Sequence, residues 1–241
     1  LTDSTEPLIH VAGLRKIYGP ARVLDGVDLD VRAGEAVALL GSNGAGKTTL
    51  LRILATLSRA TRGTARIAGF DCGRQAEEVR ARLGLIAHGS WVYEDLTAME
   101  NLRFWATLAG LDAGHDALRA ALATVELERV THERVRTFSA GMKRRLALAR
   151  FVMARPSVLL LDEPFAAIDQ RGSKWLEEHL GQFKAAGGAI LMTTHSFWRG
   201  LGVVDRLAIL AGGRIAHDGP AAAQSPDDVR RLYELHAGEP A

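Results

Sequence analysis

Two short stretches of the sequence bring together residue types that handle phosphate. In GSNGAGKTT at 41–49, Gly41, Gly44 and Gly46 are interleaved with Ser42, Asn43 and Ala45 and followed by Lys47, Thr48 and Thr49. Glycines so placed let the backbone curl until successive N–H groups aim at one anion, and a helix opening at the end of the curl adds its positive terminus. Lys47 then offers a point charge to the β- and γ-phosphates, and Thr48 a hydroxyl to Mg²⁺. AVALL precedes the run and GKTTLLRILATL continues it, which is the strand, loop and helix context that such a loop needs. A glycine-rich turn could merely cap a helix, but this spacing in this context points to nucleotide binding.

The second stretch, VLLLDEP at 158–164, ends an apolar run with two consecutive carboxylates. Open parallel sheets present their ligands at that end of a strand. Asp162 is placed to hold the metal and Glu163 to polarise a water. An acidic strand end that caps the next helix is the bland reading, and the glycine-rich loop weighs against it. TTHS at 193–196 closes a third apolar run, so His195 falls on the same sheet edge, where an imidazole can hydrogen-bond a γ-phosphate.

These groups can meet only if several strands end side by side. Strands are expected at 8–14, 23–31, 36–40, 64–69, 83–87, 157–162, 188–194, 206–211 and 213–217. Helical patterns fall between many of them, so the fold class is α/β. AVALL, SVLLLD and AILMTT are continuously apolar and suit central strands buried on both faces. The strands at 8–14, 23–31 and 64–69 alternate apolar with polar residues and are read as an antiparallel layer with one wet face. Gly212-Gly213 marks a hairpin. From about 90 to 155 the strand signal gives way to TAMENLRFWATLAGL, HDALRAALATVEL and AGMKRRLALARFVMA, an inserted helical subdomain. The expected organisation is a single domain, with a catalytic core at 8–89 and 156–220, the helical insert at 90–155, and a linker and last helix at 221–241.

Composition excludes several alternatives. The 241 residues are 47% hydrophobic, 24% charged and 6% aromatic, with a formal net charge of +2. Such a chain is too apolar to be disordered and too weakly basic to suggest a nucleic-acid partner. One cysteine, Cys72, cannot form an intramolecular disulfide and is compatible with a reducing compartment such as the cytosol. No apolar run approaches the ~18–20 residues needed to span a bilayer. The sequence opens on Leu1 rather than Met, so at least one residue is expected to precede it.

With these residues in place, the chain resembles the ATP-binding cassette (ABC) ATPases over residues 8–220. FSAGM at 138–142 is similar to that family's signature loop, usually LSGGQ. The intervals of 23 residues from Ser139 to Asp162 and 33 from Asp162 to His195 follow the family's order of signature, metal carboxylate and switch histidine. The resemblance implies a P-loop ABC-ATPase fold, a mixed sheet core with an antiparallel layer and a helical insert. It also implies ATP and Mg²⁺ as ligands, with Thr48 and Asp162 on the metal and Glu163 and His195 in hydrolysis. Tyr18 in RKIYG then stacks on adenine, and Asp169 in FAAID lies at a dimer seam. Ser139, Ala140 and Gly141 contact the nucleotide of a second copy, because their helix N-terminus belongs to a surface far from Lys47 of the same chain. Two copies pack head to tail, and loss of the γ-phosphate loosens them.

The sequence departs from the family pattern at three places. Ala140 stands for a glycine, Met142 for a glutamine, and His88 occupies the position of a metal-contacting glutamine, with Gly89 the alternative under a one-residue slip. A neutral imidazole is a poor ligand for Mg²⁺, so His88 is expected to order a water or sense the γ-phosphate. Modest ATPase activity under a partner's control follows as an expectation. Trp91, Tyr93, Phe104 and Trp105 could form a groove for a helix of that partner, with Phe104 and Trp105 read rather as core.

Within the family, GSNGAGKTTLLRILATL, YEDLTAMENLRF with its preceding histidine, DEPFAAID and LMTTHSFWRGLGVVDRLAIL are similar to the ATPases of the bacterial haem exporter of cytochrome c maturation (CcmA-type). That resemblance implies membrane-spanning partners like CcmB and CcmC and a peripheral place on the cytoplasmic face of the inner membrane. A drug or lipid exporter ATPase is the close alternative, and a binding-only regulatory cassette another.

Overall fold

The computed structural model describes residues 6–87, 92–166, 168–194, 200–221 and 225–237. A six-stranded sheet carries the strand ends of interest, in the order β10-β9-β3-β8-β7-β6. Its members are β3 (Ala36–Leu40), β6 (Leu83–Ile86), β7 (Val158–Asp162), β8 (Ala189–Thr193), β9 (Arg206–Ala211) and β10 (Arg214–Pro220). All neighbours run parallel except β10, which returns antiparallel on β9 through the Gly212-Gly213 turn. The three apolar runs are adjacent in this sheet, and every residue of β3, β7 and β8 is buried. Strands covered on both faces have no wet side for polar residues, which is why these read as unbroken hydrophobic runs.

Alternate residues of β3 serve two separate cores. Val37 and Leu39 pack with the second sheet and with α1 (Lys47–Leu54), whereas Ala36, Ala38 and Leu40 pack with the helices beyond the opposite face. That second sheet is antiparallel, with the order β2-β1-β4-β5 for β1 (Ile9–Tyr18), β2 (Ala21–Val31), β4 (Arg62–Ile67) and β5 (Phe70–Asp71). It contains the three alternating strands expected in one layer. β1 runs on to Tyr18, paired with Ala21 across a tight turn, beyond the expected end at residue 14. Its last residues are largely exposed and polar, so the apolar periodicity fades before the hydrogen-bond ladder does. β5 is only two residues long, too short to show any period.

Between 92 and 154 the described residues form helices: α3 (Ala98–Leu108), α4 (His115–Thr124) and α5 (Ala140–Ala154), with short 3-10 turns at Glu128–Val130 and Val135–Thr137. Local chemistry starts two of them. Thr97 and Glu100 form a reciprocal capping box before α3, and the Ser139 hydroxyl accepts from the Met142 N–H at the start of α5. α2 (Ala76–Arg82) precedes β6, α6 (Gln170–Ala185) follows β7, and α7 (Pro226–Ala237) ends the described chain. Among the described residues no helix is long and apolar enough to cross a membrane.

Candidate active site

The loop after β3 curls as its glycines require. Gly44 and Gly46 have φ of +83° and +109°, a region that side-chain-bearing residues enter only at a cost. Gly41 meets a different demand, since a Cβ there would lie 2.5 Å from the Leu210 carbonyl oxygen of β9. Gly46 is pressed from the other side by β2, where Val23 O and Leu24 Cδ2 would be 3.0 and 2.7 Å from its Cβ. The loop is thus braced at both ends before α1 begins at Lys47.

Beside it opens a cleft of about 640 Å³, lined by Val23, the loop residues Ser42, Asn43, Gly44, Gly46, Lys47, Thr48 and Thr49, and the carboxylates Asp162 and Glu163. The cleft therefore brings the two chemistry-bearing stretches together. Lys47 is buried, and its ammonium donates to the carbonyls of Gly41 and Ser42 at 2.7 and 3.1 Å. Burial lowers its pKa, while the nearby charges of Glu163 and Asp162 oppose that shift. Asp162, also buried, accepts from the Thr193 hydroxyl at 2.6 Å. Glu163 leaves the strand with φ +54°, and its N–H donates to both the carbonyl and the hydroxyl oxygen of Thr193, at 3.2 and 3.1 Å. From the other side, Arg144 Nη2 of α5 donates to the Glu163 carbonyl at 3.1 Å.

Thr48 and Asp162 are hard oxygen donors facing one cleft, and the described residues hold no cluster of three or more His, Cys, Asp or Glu fit for a metal. Two protein donors beside a phosphate loop suit Mg²⁺, which commonly binds through one or two side chains together with substrate phosphates and water.

Other expected site residues lie elsewhere. Tyr18 is 47% exposed at the end of β1, its hydroxyl 3.5 Å from Ser58 Oγ and Lys16 Nζ 4.6 Å from its ring centre; it does not line the cleft. Ser139, Ala140 and Gly141 open α5 away from the cleft, with Ser139 and Ala140 exposed. Asp169 is exposed and caps α6 by accepting from the Gly172 N–H at 2.7 Å. His88, Gly89, Trp91 and His195 lie outside the described residues.

A second, smaller cavity of about 180 Å³ lies between α3 and α5, lined by Val92, Tyr93, Phe104, Trp105, Leu108 and Arg150 among others. Phe104 is 42% exposed, so it is not the core residue that its type suggests. It meets Tyr93 edge to face at 5.0 Å between ring centres. Asn101 fixes the Tyr93 backbone by accepting from its N–H and donating to its carbonyl, at 2.7 and 2.8 Å. Burial pushes Arg150 down to about 10, with its guanidinium 5.6 Å from the Trp105 ring centre.

Thr193, Val23 and Arg144 were not singled out by sequence. Thr193 is the only one with a direct signal: it belongs to the run ending in TTHS, and the pairing of β7 with β8 puts it opposite Asp162. Val23 and Arg144 reach the site through contacts distant in sequence.

A mostly parallel sheet with a glycine-rich loop after β3 and a carboxylate pair at the end of β7 defines a P-loop nucleotide-binding protein. The chain belongs to the ABC transporter family, whose sequence profile matches residues 24–166. Its activity is that of the family's ATP-binding subunits, ATP hydrolysis coupled to transport. It is 37% identical over 215 residues to a daunorubicin resistance ATP-binding protein of Streptomyces coeruleorubidus, covering 88% of this chain and 68% of that one. To the Nod factor export ATP-binding protein I of Paraburkholderia xenovorans it is 36% identical over 238 residues, covering 98% and 78%. Among solved structures, an ATP-binding subunit of an ABC transporter superposes with a TM-score of 0.80 at 32% identity, covering 95% of this chain and 94% of the other. A dimeric ATP-binding cassette in a post-hydrolysis state with ADP and Pi shares the fold, with a TM-score of 0.79 at 22% identity over 90% of this chain and 100% of that one.

Proposed function

We propose that this chain is the ATP-hydrolysing subunit of a membrane exporter, working as a pair of copies on the cytoplasmic face of the inner membrane. The observation that carries the reading is the shared cleft of Lys47, Thr48, Asp162 and Glu163. Backbone N–H groups from Gly41 to Thr49 and the Lys47 ammonium hold the triphosphate, and Tyr18 stacks on adenine from the end of β1. Thr48 and Asp162 hold Mg²⁺, which when bound draws charge from the phosphate oxygens. Glu163 orients the attacking water, and His195 hydrogen-bonds the γ-phosphate. His88 senses the γ-phosphate or orders a water beside it.

The helical segment at 90–155 works as a subdomain inserted in the core of 8–89 and 156–220, with 221–241 as linker and last helix. Ser139, Ala140 and Gly141 lie outside the cleft of their own chain, which supports their contacting the nucleotide of a second copy, with Asp169 at the seam. A cassette of the same fold is dimeric with ADP and Pi bound, in keeping with a pair of copies. A helix of the membrane subunit docks in the groove of Tyr93, Phe104 and Trp105, and the exposure of the first two supports this.

The names of the relatives, drug resistance and Nod factor export, favour an exported small molecule that the membrane subunit selects. They give no support to haem as cargo or to partners like CcmB and CcmC. The haem-exporter reading, the first expectation from sequence, rests only on its local strings of similar sequence. Phosphate release by the purified chain and by Glu163→Gln tests the enzymatic core, with a fall of about a hundredfold or more expected for the variant. No release above background from the parent would leave a binding-only cassette, and equal measurable rates would remove Glu163 from the chemistry. Co-purification from membranes identifies the spanning subunit and, with it, the cargo class.

A further inference from the structure

Arg144 lies on α5, the helix that Ser139 caps, yet its side chain reaches the end of β7 on the other body of the site. Its Nη2 donates to the Glu163 carbonyl at 3.1 Å. Glu163 is one of the few non-glycine residues with positive φ, at +54°, a conformation that persists only where the surroundings enforce it. Thr193 of β8 enforces it from the N–H side at 3.1 and 3.2 Å, and Arg144 from the carbonyl side. Arg144 Nη1, meanwhile, is buried with no hydrogen-bond partner among the described residues. A half-satisfied guanidinium in a buried place is costly, and an aliphatic side chain of similar reach would avoid that cost. What the arginine supplies in return is the bond to Glu163, with a favourable charge toward Asp162 beside it.

We propose that Arg144 is a positioning residue for hydrolysis, holding the left-handed backbone of Glu163 that turns its carboxylate into the cleft. Because Arg144 is on α5, it also ties that posture to the helix bearing Ser139, so a shift of α5 on closure with a second copy is felt at this chain's own carboxylate. The inference rests on the reading of Glu163 as the group that orients water.

The test is phosphate release and Mg·ATP binding by the full chain carrying Arg144→Met, Arg144→Lys or Glu163→Gln. Arg144→Met should lower kcat by about tenfold or more, the scale of a misplaced reacting group, with KM and the Mg·ATP dissociation constant within about twofold of the parent. Arg144→Lys, which keeps a donor of similar reach, should fall between the two in kcat with KM unchanged. Should Arg144→Met not fold, the lysine variant decides alone. Parent-like kcat in the variant read, or a joint loss of kcat and Mg·ATP affinity, would overturn the proposal. Glu163→Gln turning over at the parent's rate would instead remove the reading of Glu163 beneath it.

Discussion

The Thr193 hydroxyl stands between the two acidic residues of the cleft, donating to Asp162 Oδ1 at 2.6 Å and accepting from the Glu163 N–H at 3.1 Å. One side chain of β8 thus orients the carboxylate proposed to hold the metal and anchors the backbone of the next residue. Replacing it by valine keeps shape and removes the hydroxyl. Thr193→Val should raise the Mg²⁺ concentration for half-maximal hydrolysis by about tenfold, the usual scale for losing the partner of a metal ligand, and Thr193→Ser should restore it. An unchanged Mg²⁺ requirement in Thr193→Val would show that Asp162 needs no such support.

Gly41→Ala places a Cβ 2.5 Å from the Leu210 carbonyl oxygen, a rigid backbone atom. Overpacking of this kind costs about 1–3 kcal/mol, so denaturant unfolding should show a loss in that range. Mg·ATP affinity should fall with it, since the loop must move away from β9. Parent-like stability would mean that the strand yields more readily than its central position suggests.

The capping box of α3 carries a pH signature. Glu100 has its pKa held below the ordinary 4.5 first by the Thr97 backbone N–H and then by the Thr97 side chain. A carboxyl depressed on folding contributes stability above its unfolded pKa and loses it as pH falls through the folded value. Glu100→Gln should therefore lower Tm at pH 7 and narrow the gap in Tm between pH 7 and pH 3. Thermal melts followed by circular dichroism at both pH values read this directly, and an unaltered gap would remove the carboxylate from the acid response.

Cys72 is buried, and burial, with the Asp71 charge beside it, pushes its thiol up to about 12. Because the thiolate is the reactive form, a disulfide reagent at pH 8 should label the native chain only as fast as it unfolds. Rapid labelling of one equivalent without denaturant would contradict that packing.

Much of the cleft's lining is legible in the sequence because it is carried by contiguous runs. GSNGAGKTT and VLLLDEP each hold several functional groups within a few residues, and the apolar strands before them announce their place in the sheet. The buried β3, β7 and β8 were legible for a related reason, since burial on both faces writes itself as continuous hydrophobicity. Contacts between distant segments were not. Nothing in AGMKRRLALARFVMA marks Arg144 for the site, and only the hydrogen bond from α5 to the residue after β7 takes it to Glu163. Phe104 reads as core by residue type, but its exposure depends on where α3 meets its neighbours. The extension of β1 to Tyr18 has no signal in the sequence because hydrogen bonding, unlike burial, leaves no periodic trace in side-chain type.

In the proposed working pair the loop around Lys47 grips a triphosphate, which Ser139 of the second copy then clamps. Sedimentation of Glu163→Gln with and without Mg·ATP tests it most directly, because a variant slowed in hydrolysis holds the nucleotide in place. A dimer that forms with Mg·ATP, with two nucleotides bound, and that is abolished by adding either Lys47→Ala or Ser139→Glu is the predicted result. A chain that binds Mg·ATP by calorimetry yet sediments as a monomer, or a dimer indifferent to Ser139→Glu, would contradict it.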